Sequence, residues 1–200
     1  MTKNSGPAKP KVASVWLEAC AGCHMSFLDM DERLLDLFKK VEITSTPISD
    51  IKEIPQVTVG VIEGGLGNEE ELHIAKDLRE KCQILIAWGD CAVFGGINCL
   101  RNFIKVEDLL REAYTDTVTT VNPTGVIPGW SREGTLPHEG VLLHEGVPAL
   151  LPQAIPVDRA VKVDVYVPGC PPDADTIAFV FEEILNGRVP KVPPEMMRYD

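Results

Sequence analysis

Six cysteines are spread along 200 residues, and four of them stand where they could do chemistry. Cys20 and Cys23 form a CxxC pair, Cys91 follows Gly89-Asp90, and Cys170 sits inside Pro168-Gly169-Cys170-Pro171-Pro172. Thiolates are soft ligands for zinc and for iron–sulfur clusters, and a CxxC pair also serves dithiol redox exchange. A zinc site of four cysteines usually takes two short CxxC pairs, whereas here the second pair is split between two distant turns. A two-one-one pattern spread so widely suits a bulkier cluster. Trp16 shortly before the CxxC keeps a thioredoxin-type pair of Cys20 and Cys23 as an alternative, although it leaves Cys91 and Cys170 without a role. Cys99 could stand in for Cys91, but Cys91 lies directly on the Gly-Asp turn. Cys82 and Cys99 are expected to be buried thiols.

The elements between these residues explain how they could meet. Lys11–Leu17 reads as a first strand, followed at once by the CxxC turn and a helical pattern over His24–Lys40. Val41–Thr46 alternates as a strand does. Val57–Ile62 is a nearly continuous apolar run, as expected of a strand buried on both faces. Glu63–Gly67 reads as a flexible turn, and Asn68 with Glu71 as the capping pair of a helix to Lys81. Ile84–Trp88 is another buried strand ending at Gly89-Asp90-Cys91, and residues 92–113 look mostly helical after Gly95-Gly96. Val161–Val167 is the last strand, Asp173 caps a helix to about Asn186, and Gly187 ends it. Strand, turn and helix alternate at least four times, which predicts an α/β fold with a parallel sheet covered by helices on both faces. In such sheets the turns after the strands share one edge, where ligands bind. The three cysteine-bearing turns all follow strands.

Composition bounds the rest. Hydrophobic residues at 44% can build a core without disulfide staples. A formal charge of −11 argues against nucleic acid or anionic lipid as the main partner, and no apolar run is long enough to cross a membrane. The opening residues carry neither an apolar signal segment nor a twin-arginine pair, so a cytoplasmic protein with reduced thiols is expected. Residues 1–10 read as a flexible arm, 11–187 as one domain, and 188–200 as an irregular tail. Within the domain, residues 117–156 form a long irregular excursion rich in Pro, Gly and His, including His138 and His144. This excursion is a candidate for burial by a partner subunit.

Three segments together resemble the small subunit of nickel–iron hydrogenases: WLEACAGCHMSFLD at 16–29, AWGDCAVFGG at 87–96 and VPGCPPDAD at 167–175. The resemblance covers roughly residues 11–187. It implies a flavodoxin-like domain holding one [4Fe–4S] cluster on Cys20, Cys23, Cys91 and Cys170, next to a Ni–Fe centre in a separate large subunit. No cysteine follows Cys170, so a single cluster is expected. The short form, with GCHMSFLDMDERL at 22–34, is similar to the cytoplasmic, bidirectional NAD-linked group. That similarity implies a large Ni–Fe subunit and diaphorase subunits (iron–sulfur and flavin) as partners. The related cluster subunit of a complex I-like quinone oxidoreductase is the rival, but its motif uses two adjacent cysteines where Ala21-Gly22 intervene here.

The implied function is electron relay from H2 oxidation in the large subunit towards NAD+, and no residue of this chain is assigned as catalytic. Ala21, Ala92, Val93 and Phe94 would form an apolar shell around the cluster. Glu18 and Glu63 lie on the same edge and could assist proton movement, but are read first as solvated or capping carboxylates, and His24 as a packing or hydrogen-bonding residue in preference to a ligand. The glycine turn at 64–67 opens a helix and could meet a phosphate, yet GGLGN is not a dinucleotide fingerprint and Glu69–Glu71 would repel one. FMN is therefore the disfavoured reading of that turn.

Overall fold

The computed structural model describes residues 9–51, 53–125, 127 and 147–197. Strands β1 (Lys11–Trp16), β2 (Glu42–Ile43), β3 (Val57–Glu63), β5 (Cys82–Trp88) and β7 (Val165–Val167) form a parallel sheet in the order β2-β1-β3-β5-β7. Between them run helices α1 (Gly22–Leu28), α2 (Arg33–Lys40), α3 (Glu69–Lys81) and α4 (Asp90–Phe94), then α5 (Val106–Arg111) and α6 (Ala174–Leu185). This is the doubly wound, flavodoxin-like α/β arrangement that the sequence predicts. The strand order reverses between β1 and β3, which opens a crevice at the strands' C-terminal ends.

Alternation along the strands divides the core in two. Val12, Val59, Val61, Ile86, Val165 and Val167 pack with Leu34 and Leu37 of α2 and with Ile177, Val180, Phe181 and Ile184 of α6. Their neighbours Ala13, Ile62, Leu85 and Ala87 face Ala75 and Leu78 of α3 and Ala92 of α4. Each inner strand is therefore apolar on both faces, which is why the sequence shows runs rather than alternation. The α3 capping box forms as its residues dictate, with Asn68 Oδ1 accepting from Glu71 N at 2.9 Å and Glu71 Oε2 from Asn68 N at 3.2 Å. At α6, Asp173 Oδ1 accepts from Thr176 N at 2.7 Å, and Gly187 follows with φ 72°.

Several expectations are corrected. The helix expected over 24–40 is two helices, because Asp31 turns left-handed (φ 51°) between α1 and α2. The second strand is only Glu42–Ile43, and the last is only Val165–Val167. The region after Gly95 is a 3₁₀ helix (Gly96–Phe103) before the short α5, and Cys82 opens β5 instead of preceding it. The turn after β3 is not flexible: Leu66–Asn68 form β4, which pairs antiparallel with β6 (Leu150–Ile155), and Leu66 is fully buried. The excursion thus ends in a strand. Its residues 126 and 128–146, with His138 and His144, lie outside the described residues, as do 1–8 of the arm and 198–200 of the tail. Among the described residues no helix is long and apolar enough to cross a membrane.

Candidate functional site

The turns after β1, β5 and β7 lie side by side at the C-terminal edge of the sheet, and they bring Cys20, Cys23, Cys91 and Cys170 together. Ala21, left-handed at φ 67°, swings the chain into α1 so that Cys23 turns inward while Cys20 stays exposed. Cys91 sits half-buried in the first turn of α4, and Cys170 is exposed behind Gly169. Burial, then the charge of Glu63, then the other three thiols push the Cys23 thiol well above the usual range. Burial also raises Cys91; the Ile97 N–H opposes it, and Cys170 and Cys20 add to it. The raised thiols of Cys23 and Cys91 are relieved where a cationic metal group binds.

Glycines line the sulfurs closely. A Cβ on Gly89, whose φ is 83°, would collide with Cys23 Sγ, and one on Gly96 would lie 2.8 Å from Cys91 Sγ. Gly22 N donates to Cys20 Sγ at 3.4 Å. Donors aimed at sulfur and a close glycine cradle are what an iron–sulfur group requires, so the residues fit one. Among the described residues no three Cys, His, Asp or Glu side chains converge on a single metal ion.

Neighbouring groups hold the turns in register. Asp90 N donates to Gly169 O at 2.9 Å, Asp90 Oδ1 accepts from Gly169 N at 2.7 Å, and Gly89 N donates to Val167 O at 2.8 Å. Ser26 Oγ on α1 donates to Pro172 O at 2.5 Å, which ties the CxxC helix to the Cys170 turn. Glu63, at the end of β3, is buried rather than solvated: it accepts from the backbone N–H of Cys23 at 3.2 Å and of His24 at 3.0 Å. The expected capping role is met, for a helix in another segment of the chain. His24 is buried and hydrogen-bonds through Nδ1 to Glu63 and through Nε2 to Ser14 Oγ at 2.8 Å. The sequence signals neither Asp90 nor Ser26 as a brace, and only Asp90's place in the first turn of a short helix marks it.

The remaining cysteines and Glu18 stand apart from the four sulfurs. Cys82 is buried beneath Gly60, and Cys99 is half-buried on the 3₁₀ helix with its thiol donating to Ala154 O at 3.2 Å. Glu18 is partly buried, with Oε1 3.8 Å from Arg101 Nε, and is raised chiefly by burial and also by Glu71, against Arg101. The glycine turn has its donors committed: Gly65 N to Glu18 O at 3.1 Å and Gly67 N to Glu71 Oε2 at 2.7 Å. A phosphate would have to displace both.

Comparison with known proteins follows the same lines. The family model described as "NADH ubiquinone oxidoreductase, 20 Kd subunit" matches residues 20–184. The chain belongs to that family. Among its relatives, the delta subunit of the NAD-reducing hydrogenase HoxS of Cupriavidus necator is 40% identical over 193 residues, 96% of this chain and 86% of that one. A subunit of the F420-non-reducing hydrogenase of Methanothermobacter marburgensis is 39% identical over 92% of this chain, which spans 56% of that longer relative. A chain in the crystal structure of an H2-reduced NAD+-reducing [NiFe]-hydrogenase superposes with a TM-score of 0.84 at 35% identity, over 96% of this chain and 99% of that one. The resemblance read from the three cysteine-bearing segments is thereby confirmed.

Proposed function

We propose that this chain is the electron-relay subunit of an NAD-linked nickel–iron hydrogenase, with Cys20, Cys23, Cys91 and Cys170 holding one [4Fe–4S] cluster. When bound, that cluster supplies one-electron transfer, from H2 oxidation at the Ni–Fe site of a large subunit towards diaphorase subunits that reduce NAD+. The chain itself ligates, orients and insulates. The observation that carries this reading is the convergence of four sulfurs from three separated turns onto one glycine-lined edge, in a chain whose relatives are hydrogenase subunits. The exposed Cys20 and Cys170 mark the side on which partner subunits would cover the cluster. The setting of this assembly is cytoplasmic in the same reading.

A dithiol redox pair of Cys20 and Cys23 is disfavoured by the same geometry. Such a pair leaves Cys91 and Cys170, which stand beside it at the same edge, without a role. The test is purification with the associated subunits, followed by iron and sulfide analysis and electron paramagnetic resonance of the reduced sample. Relative to wild type, C20S, C91S or C170S is expected to lose about four iron and four sulfide per complex, together with one cluster signal. Zinc alone bound to intact thiols overturns the proposal.

A further inference from the structure

One face of the sheet is incompletely covered. The left-handed turn at Asp31 separates α1 from α2, and β2 leaves β1 after only two paired residues. Between these elements lies a cavity of about 450 Å³. Its inner wall includes the buried Val12 and Val61 of the sheet, and four rings stand around it: Phe27, Phe38, Trp88 and Phe181. Phe27 is the hub, with ring centroids 6.4 Å from Phe38, 5.9 Å from Trp88 and 5.7 Å from Phe181. Leu28, Phe38, Ile43 and Ile48 are exposed, so the mouth of the cavity is apolar as well.

The wall beyond β2 is fixed by its own hydrogen bonds. Ser49 Oγ accepts from Thr46 N at 2.9 Å, and Thr46 Oγ1 accepts from Ser49 N at 3.1 Å. An apolar space with fixed walls does not collapse on itself, and left empty it forfeits dispersion contacts along its lining. Its polar content is small and lies at the buried end. There Ser14 Oγ and His24 Nε2 are hydrogen-bonded at 2.8 Å, and Trp88 carries a buried indole N–H with no hydrogen-bond partner among the described residues. No Asp, Glu, Lys or Arg is among the residues lining the cavity. A charged guest would therefore leave water without finding a counter-charge, whereas an aromatic guest would meet rings edge to face. One acceptor on that guest is what the Trp88 N–H lacks.

We propose that this cavity is a binding site for a neutral, largely aromatic small molecule, entered between Leu28 and Ile43. The site is separate from the cluster edge and does not depend on the ligation proposed there. Its volume falls in the range of small-molecule sites, about 300–1,000 Å³, and exceeds what one docked side chain fills. That favours a small guest over an anchor residue of a partner subunit.

The experiment is a fluorescence titration of the full chain, alone and within the hydrogenase complex, with N-phenyl-1-naphthylamine and with 1-anilinonaphthalene-8-sulfonate. The two probes share one ring system, and only the second is charged. The neutral probe binds the wild-type chain at least about tenfold more tightly than the sulfonate. L28W and I43W narrow the mouth from α1 and from β2, and the double variant weakens the neutral probe about tenfold. L35W, at an exposed residue of α2 outside the cavity lining, leaves it unchanged. In the complex the site is read as the difference between assemblies carrying the wild-type chain and those carrying the double variant. A sulfonate that binds as tightly as the neutral probe overturns the proposal, as does an unchanged affinity in the double variant or an equal loss in L35W. Binding by the chain alone that disappears in the complex assigns the cavity to a partner's side chain and also overturns it. Should the double variant fail to fold, the comparison of the two probes on the wild-type chain decides by itself.

Discussion

Asp90 and Gly169 exchange two hydrogen bonds, backbone to backbone at 2.9 Å and side chain to backbone at 2.7 Å, and so lock the Cys91 turn to the Cys170 turn. The reciprocity removes the slack from a site built on three loops. In D90A the Gly169 N–H loses its acceptor, and stability falls by about 1–2 kcal/mol. Urea unfolding of the purified protein should show a lower midpoint with an unchanged slope. D90N, which keeps one acceptor oxygen, loses less.

The glycine cradle predicts a contrast between two left-handed glycines. A Cβ at Gly89 would run into Cys23 Sγ, whereas one at Gly125 (φ 66°) meets nothing within 4 Å. G125A should cost only the left-handed strain, about 1–2 kcal/mol, and leave iron content unchanged. G89A should lose iron as well as stability. Iron per chain and thermal midpoints of the two variants check this directly.

At the start of α3, Asn68 and Glu71 satisfy each other's backbone donors, and Glu71 also holds Gly67 N. N68A leaves the Glu71 N–H without its partner and should lower stability by about 1 kcal/mol. E71A should cost more, because it releases the N–H groups of Gly67 and Asn68 together. Differential scanning calorimetry of the two variants against wild type gives the order.

Asp164 links the last strand to the middle of the sheet. Burial pushes its carboxyl up, but the Leu85 N–H, Arg79 and Lys162 outweigh that and leave it below the ordinary value of 3.8. Arg79 Nη1 lies 2.5 Å from Asp164 Oδ2, and Leu85 N 2.9 Å from the same oxygen. A lowered carboxylate contributes stability that is present above its unfolded value and is lost as pH falls through its folded one. D164N should therefore be less stable than wild type at pH 7, with the gap closing below about pH 4. Thermal midpoints across that range give the test.

Much of the fold was legible because parallel strands buried on both faces leave continuous apolar runs, as in Val57–Ile62 and Ile84–Trp88. The turn cysteines were legible because each follows such a run. The break between α1 and α2 was hidden, since apolar spacing continues through it and Asp31 is among the few non-glycine residues that tolerate the left-handed region. Strands β4 and β6 were missed because one is three residues long and they pair across more than 80 positions. The burial of Glu63 was not legible because its partners, the N–H groups of Cys23 and His24, are 40 and 39 residues away. Periodicity reports which face a residue belongs to and is silent on such long-range polar pairing.

The order of the strands also sets a clock for synthesis. Strand β7 is the last of the parallel sheet to be made, and it joins the sheet by docking on β5. The turn carrying Cys170 is formed by that docking, so the first three cysteines leave the ribosome well before the fourth has a place to stand. Whatever the three turns hold together can be accepted only after β7 has emerged and docked. Until then the nascent chain presents open thiols and an unfinished β5 edge, the condition in which a cell must guard a chain against oxidation and mispairing.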